Sequence, residues 1–174
     1  MKKWMVCALV VVCAFVAACA SSVQRRQDGV EFRPAGEKFS RVELTVDPAA
    51  TTDPNDLVRF EDQKLQAMIE RNLEASGLID KASLSLVRVV ITDIRVRSTF
   101  NAFMWGFMAG DDHIVGDVSL IGDKGEPRHT FKVSASYALG GFAGMNETRM
   151  GWLFEEFSKL TLAEIKGEPA ADSK

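Results

Sequence analysis

The chain is expected to be an α+β domain, a four-stranded mixed sheet in the order β-α-β-β-β-α with two amphipathic helices packed mainly on one face. Three observations lead there. Phe39–Val46, Leu84–Arg97, Asp112–Ile121 and Thr130–Ala138 follow strand-like patterns, most with the period of two that a pleated strand imposes. Two further stretches repeat apolar residues every three or four positions, as a buried helix face does. The turn signal Gly122-Asp123-Lys124-Gly125 joins the last two strands as an antiparallel pair. The first two strands are separated by a helix, so they should pair in parallel through a right-handed crossover.

Ahead of the domain, Met1–Cys19 has a basic start (Lys2, Lys3), an apolar core from Trp4 to about Val16, and small residues leading to Cys19. That is the layout of a secretory signal, and the apolar run is short of the roughly 20 residues a membrane span needs. Val16-Ala17-Ala18-Cys19 resembles the lipobox of bacterial lipoproteins. The resemblance implies a signal peptide of residues 1–18, cleavage before Cys19, and acyl chains (palmitate among them) on that cysteine. Each buried methylene of such a chain contributes about 0.8 kcal/mol, so several chains anchor firmly. Residue 20 is Ala rather than Asp, which by the same resemblance sends the protein to the outer membrane, lipid-anchored and facing the periplasm. Ala20 to Lys38 is polar and lacks a sustained period. Residues 19–38 therefore read as the lipidated cysteine and a flexible tether, with an average reach of about 25 Å.

The domain is expected over residues 39–167. In the first strand Val42, Leu44 and Val46 face one way, and Arg41, Glu43 and Thr45 the other. Asp53 and Pro54 have the N-cap and first-position chemistry of a helix start. Leu57, Val58, Leu65, Met68, Ile69 and Leu73 share its apolar arc, Phe60 falls off it, and Gly77 stops it. In the second strand Leu84, Leu86, Val90, Ile94 and Val96 lie on one face, with Val87, Val89 and Ile91 on the other. Apolar residues on both faces predict a central strand covered on both sides. The third strand sets Ile114, Val118 and Leu120 against His113, Asp117 and Ser119, and the fourth turns Phe131, Val133, Ala135 and Tyr137 inward. Asn146 can cap a final helix whose apolar arc is Met150, Leu153, Phe154, Phe157, Leu160 and Ile165, ended by Gly167. Residues 168–174 read as a disordered tail.

Composition narrows the function. Cys7, Cys13 and Cys19 are the three cysteines, so the domain has no thiol for a disulfide, a zinc–thiolate site or a nucleophile. The chain has 21 basic and 24 acidic residues, and losing Lys2 and Lys3 with the signal leaves 19 against 24, about −5. That balance excludes a nucleic-acid partner, which requires a basic stripe.

The lipobox, the helix ending at Gly77-Leu78, Ile91-Thr92-Asp93-Ile94-Arg95, the glycines 106 and 110, the strand 118–121 with its Gly122–Gly125 turn, Gly140-Gly141-Phe142-Ala143-Gly144 and the last helix together form a pattern. Over about residues 39–166 it resembles an uncharacterised bacterial lipoprotein family, domain of unknown function 4410. The resemblance implies no activity and no catalytic residues. More loosely, the layout is similar to the α/β domains of periplasmic assembly lipoproteins such as the curli secretion lipoprotein and the amino-terminal domain of TolB.

Ser98–Gly110 is the candidate contact segment. It holds Phe100, Phe103, Met104, Trp105, Phe107 and Met108 and no charged residue, whereas loops are usually polar. Folded back, it would cap the core. Exposed, it would meet a second copy, another envelope protein or a membrane. In an antiparallel meander it leaves the same end of the sheet as Gly140–Met145, which contains Phe142. Asp111, Asp112 and His113 form the one mouth that could hold a metal or small ligand, an alternative in which the protein is an enzyme or ligand carrier. No catalytic constellation accompanies them, and His129 should lie roughly 25 Å from His113 along the strands. Asp93, Arg95 and Arg97 read as a charged sheet surface, and Glu155-Glu156 as a solvated helix face. A membrane-held, non-enzymatic contact module without metal or cofactor is the resulting expectation.

Overall fold

The computed structural model describes residues 21–25, 36–50, 60–96, 111–137 and 146–168. Strand β1 (Ser22–Arg25) is followed by β2 (Val42–Val46), helix α1 (Asp62–Ala75), β3 (Leu86–Arg95), β4 (Asp112–Ile121), β5 (Pro127–Tyr137) and helix α2 (Asn146–Lys166). The strands form one five-stranded sheet in the order β1-β5-β4-β3-β2. β2 and β3 are parallel, with α1 between them in the chain, and the other pairs are antiparallel.

The mixed α+β class with two helices is as expected, but the sheet has five strands rather than four. The extra strand, Ser22–Arg25, comes from the stretch expected to be slack tether. It pairs with the open edge of β5 in the register Ser22↔Ser134 to Arg25↔Phe131. Arg25 fastens it with a two-pronged ion pair to Glu164 of α2, at 2.7 and 3.0 Å. Val23 packs against the core from the same strand.

β3 is not apolar on both faces. Ile91 pairs with Gly116 and Asp93 with Val115, so Thr92 is an extra residue. Such a bulge shifts the alternation by one. Val87, Val89, Ile91, Ile94 and Val96 consequently all turn to the helix side and are buried. The opposite face carries Leu86, Arg88, Val90, Asp93 and Arg95, of which only Leu86, at the strand's first position, is buried, and Leu84 is 75% exposed before the strand begins.

The two helices share the inner face, joined by Asn72 Nδ2 donating to Ser158 Oγ at 2.7 Å. Leu65, Ile69 and Leu73 of α1, with Leu153, Phe154, Phe157 and Leu160 of α2, close over Val87, Val118, Phe131 and Val133. Gly116 sits where Phe157 meets the sheet. A Cβ there would lie 3.0 Å from Phe157 Cζ and 3.1 Å from the Val90 carbonyl oxygen.

Helix ends follow local rules. Gly77 and Gly167 both have φ of +68°, which glycine adopts without strain. Leu78 N donates to Leu73 O and Gly77 N to Glu74 O, and Glu168 N to Ala163 O and Gly167 N to Glu164 O, the paired bonds of a Schellman cap. The expected start of the first helix at Asp53-Pro54 lies outside the described residues, with Leu57 and Val58. Among the described residues α1 begins at Asp62, after a non-helical Glu61 with φ −105° and ψ 82°. Phe60 is therefore off the helical arc because it precedes the helix; its ring meets Phe154 edge-on at 5.5 Å.

Candidate functional site

Pairing register defines one end of the sheet as distinct. Arg95 of β3 opposes His113 of β4, and Asp112 of β4 opposes Tyr137 of β5. The points from which residues 97–110 and 138–145 depart are thus neighbours, as the meander requires. Phe100, Phe103, Met104, Trp105, Phe107 and Phe142, the expected contact residues, lie outside the described residues, as do Cys19 and Arg97. The start of α2 lies at the same end. Arg149 reaches Asp112 in an ion pair whose side chains are both fully buried. Beside it, the rings of Tyr137 and Trp152 meet at 4.9 Å, and Trp152 remains 36% exposed.

β1 ends up here too. It runs antiparallel to β5, so its first residues lie against the end of β5, and Ser136 N donates to Ser21 Oγ at 3.2 Å. Ser21, expected to lie in the flexible tether, instead sits beside the point from which residues 138–145 depart.

Of the Asp111–His113 mouth, Asp111 and His113 stay together and Asp112 turns away. Successive strand residues point to opposite faces. Asp112 turns under α2 to Arg149, while His113 turns to the outer face, where Nε2 lies 3.1 Å from Asp93 Oδ2 and Nδ1 lies 3.6 Å from Asp111 Oδ1. Among the described residues no group of three or more His, Cys, Asp or Glu side chains is arranged to hold a metal. His129 is seven strand positions along β4's partner register from His113, opposite Leu120, and on the other face.

The rest of the outer face is polar. Arg88 and Arg41 reach Glu43 at 3.4 and 2.6 Å, and Lys132 approaches Asp117 at 3.8 Å. Asp93 and Arg95 do lie on this charged surface, as expected. Glu156 does not lie on a solvated helix face: it is 7% exposed, with Lys159 at 3.9 Å.

Two ionic contacts built on buried carboxylates escaped the sequence reading. Arg149 is four residues before Leu153, hence on the inward face, and Asp112 shares the parity of inward Ile114. Those two periodicities were the available signal. The second contact joins Glu164, Arg25 and His129, whose Nε2 lies 2.9 Å from Glu164 Oε1. Burial by itself would raise the Glu164 pKa, but the hydrogen bonds from Arg25 and His129 outweigh it and hold the carboxyl below its ordinary value.

Among the described residues no helix is long and apolar enough to cross a membrane. Two solved structures with a similar layout are the PelC dodecamer from Paraburkholderia phytofirmans and a point variant of it. Each is 12% identical and spans 86% of this chain and 99% of its own, with TM-scores of 0.49 and 0.48 respectively. At that level the likeness carries no argument about assembly or activity. The comparison with curated proteins found no match. The family model described as domain of unknown function DUF4410 matches residues 20–141, a span that takes in β1 as well as β2 to β5. The chain belongs to the DUF4410 family.

Proposed function

We propose that this chain is a lipid-anchored protein of the bacterial envelope that works by contact rather than catalysis. Cys19 holds it to the outer membrane and the domain faces the periplasm, a reading supported by the lipobox and by Ala20 after it. Its partner is protein, either a second copy or another chain held at the same membrane. The contact is made at the sheet end from which residues 97–110 and 138–145 depart.

The single observation supporting this is the adjacency of Arg95↔His113 and Asp112↔Tyr137. It makes neighbours of the points from which two segments without charged residues depart, at one end of a sheet whose outer face carries charge. The ligand-binding or enzymatic alternative would have to use Asp111 and His113 without Asp112, which turns to the opposite face.

A photo-crosslinking amino acid at Trp105 in intact cells tests the proposal. Discrete protein adducts at position 105, absent when the group is at Lys124, are expected. The reading fails if position 105 gives no adduct and the soluble form, residues 20–174, runs as a monomer unaltered by Trp105→Glu.

A further inference from the structure

A tether of residues 19–38 would let the domain tumble about 25 Å from the lipid. β1 removes most of that slack. Ser22–Arg25 is hydrogen-bonded to β5 and Arg25 is pinned to Glu164 by two bonds, so the domain begins at Ser21. From Ser21 to Cys19 is two peptide steps, at most about 7 Å. β1 starts beside the end of β5, so Ser21, two residues from Cys19 in sequence, lies at the Tyr137 end of the sheet. The far end of β5, at Pro127, is ten strand steps away, roughly 33 Å.

We propose that the anchored protein stands end-on against the bilayer, with the sheet end at Val96, Asp111 and Tyr137 and the start of α2 meeting phospholipid headgroups. This rests on the anchored reading above and identifies what that contact end faces. The two ends of the molecule differ, and the near end's own charges, Asp93, Asp111 and His113, lie paired on the outer face of the sheet. The near end bears the Tyr137–Trp152 ring pair, and aromatic rings with a polar edge settle at headgroup level. From Ser98 to Gly110 and from Ala138 to Met145, the segments rooted at this end carry no charged residue. The distal end is ionic: Arg128 bonds Glu37 at 2.6 Å, Asp123 at 2.8 Å and Glu126 at 3.2 Å around the Gly122–Gly125 turn. Desolvating that cluster against a membrane would be unfavourable, whereas water serves it well. A protein partner at the near end must accordingly reach it at the membrane surface.

Residues 20–174 contain no cysteine, so one introduced thiol labels one place. Full-length acylated protein with Glu147→Cys (near end) or Lys124→Cys (distal turn) is labelled with a donor fluorophore. Each is reconstituted in phosphatidylethanolamine–phosphatidylglycerol vesicles carrying a headgroup-linked acceptor. Energy transfer from position 147 is expected to exceed that from position 124 several-fold. Equal or reversed transfer in protein whose Cys19 carries its acyl mass overturns the end-on pose and leaves the anchored reading standing. A Cys19 without acyl mass overturns both. A near-end label that transfers poorly until an envelope partner is stripped away assigns that end to protein instead of lipid, and also overturns the pose.

Discussion

Asp112→Asn keeps the shape of the buried side chain and removes its charge, taking the Asp112 carboxylate away from the buried Arg149 guanidinium. Arg149 is 1% and Asp112 0% exposed, so water cannot replace the lost carboxylate without opening the start of α2. Breaking a buried pair from one side destabilises by about 3–5 kcal/mol. At about 2–4 °C per kcal/mol for a domain of this size, the melting midpoint should fall by roughly 6–20 °C. Both residues make further contacts, so the single loss overstates the pair itself. The double variant Asp112→Asn/Arg149→Met separates the two, since it removes both charges of the pair together. It should lie closer to the parent than the summed single losses require, with a coupling of about 0.5–3 kcal/mol. Urea unfolding of the three variants, followed by circular dichroism with the slope unchanged, measures this. Strict additivity would mean the two side chains do not depend on each other, and the account of how α2 is seated would be wrong.

Two further outcomes follow from the packing. The folded Glu164 pKa lies below its unfolded value, so the ionised carboxylate adds stability above the unfolded pKa, and that stability is lost as pH falls through the folded one. Glu164→Gln should therefore be less stable than the parent at neutral pH and converge with it as pH falls below the ordinary carboxylate range; a constant gap across urea midpoints would refute the Arg25–Glu164–His129 account. Gly116→Ala brings a methyl to 3.0 Å from both Ile91 Cδ1 and Phe157 Cζ. Overpacking of this kind costs about 1–3 kcal/mol, and Phe157→Leu should recover part of it; a Gly116→Ala protein as stable as the parent would mean that α2 does not press on the sheet there.

Much of this fold is written locally. Alternation marked β2, β4 and β5, the helical arcs marked α1 and α2, and Gly77 and Gly167 marked their ends, because period and cap chemistry act within a few residues. The uncharged run 98–110 was legible as composition alone. Tertiary structure decided what local pattern does not contain. Four residues, Ser-Val-Gln-Arg, have no strand signature; they become β1 because β5 offers an open edge and Glu164 waits 139 residues away for Arg25. Thr92 looks like any strand residue until the pairing of Ile91 with Gly116 and Asp93 with Val115 leaves it over, and that one bulge makes a sheet with one buried face out of a strand that read as buried on two. The same alternation that revealed β4 also divided Asp112 from His113, which proximity in sequence had joined. Partners distant in the chain must be brought together before edges, registers and buried charges exist, and their energies belong to the pair rather than to either segment.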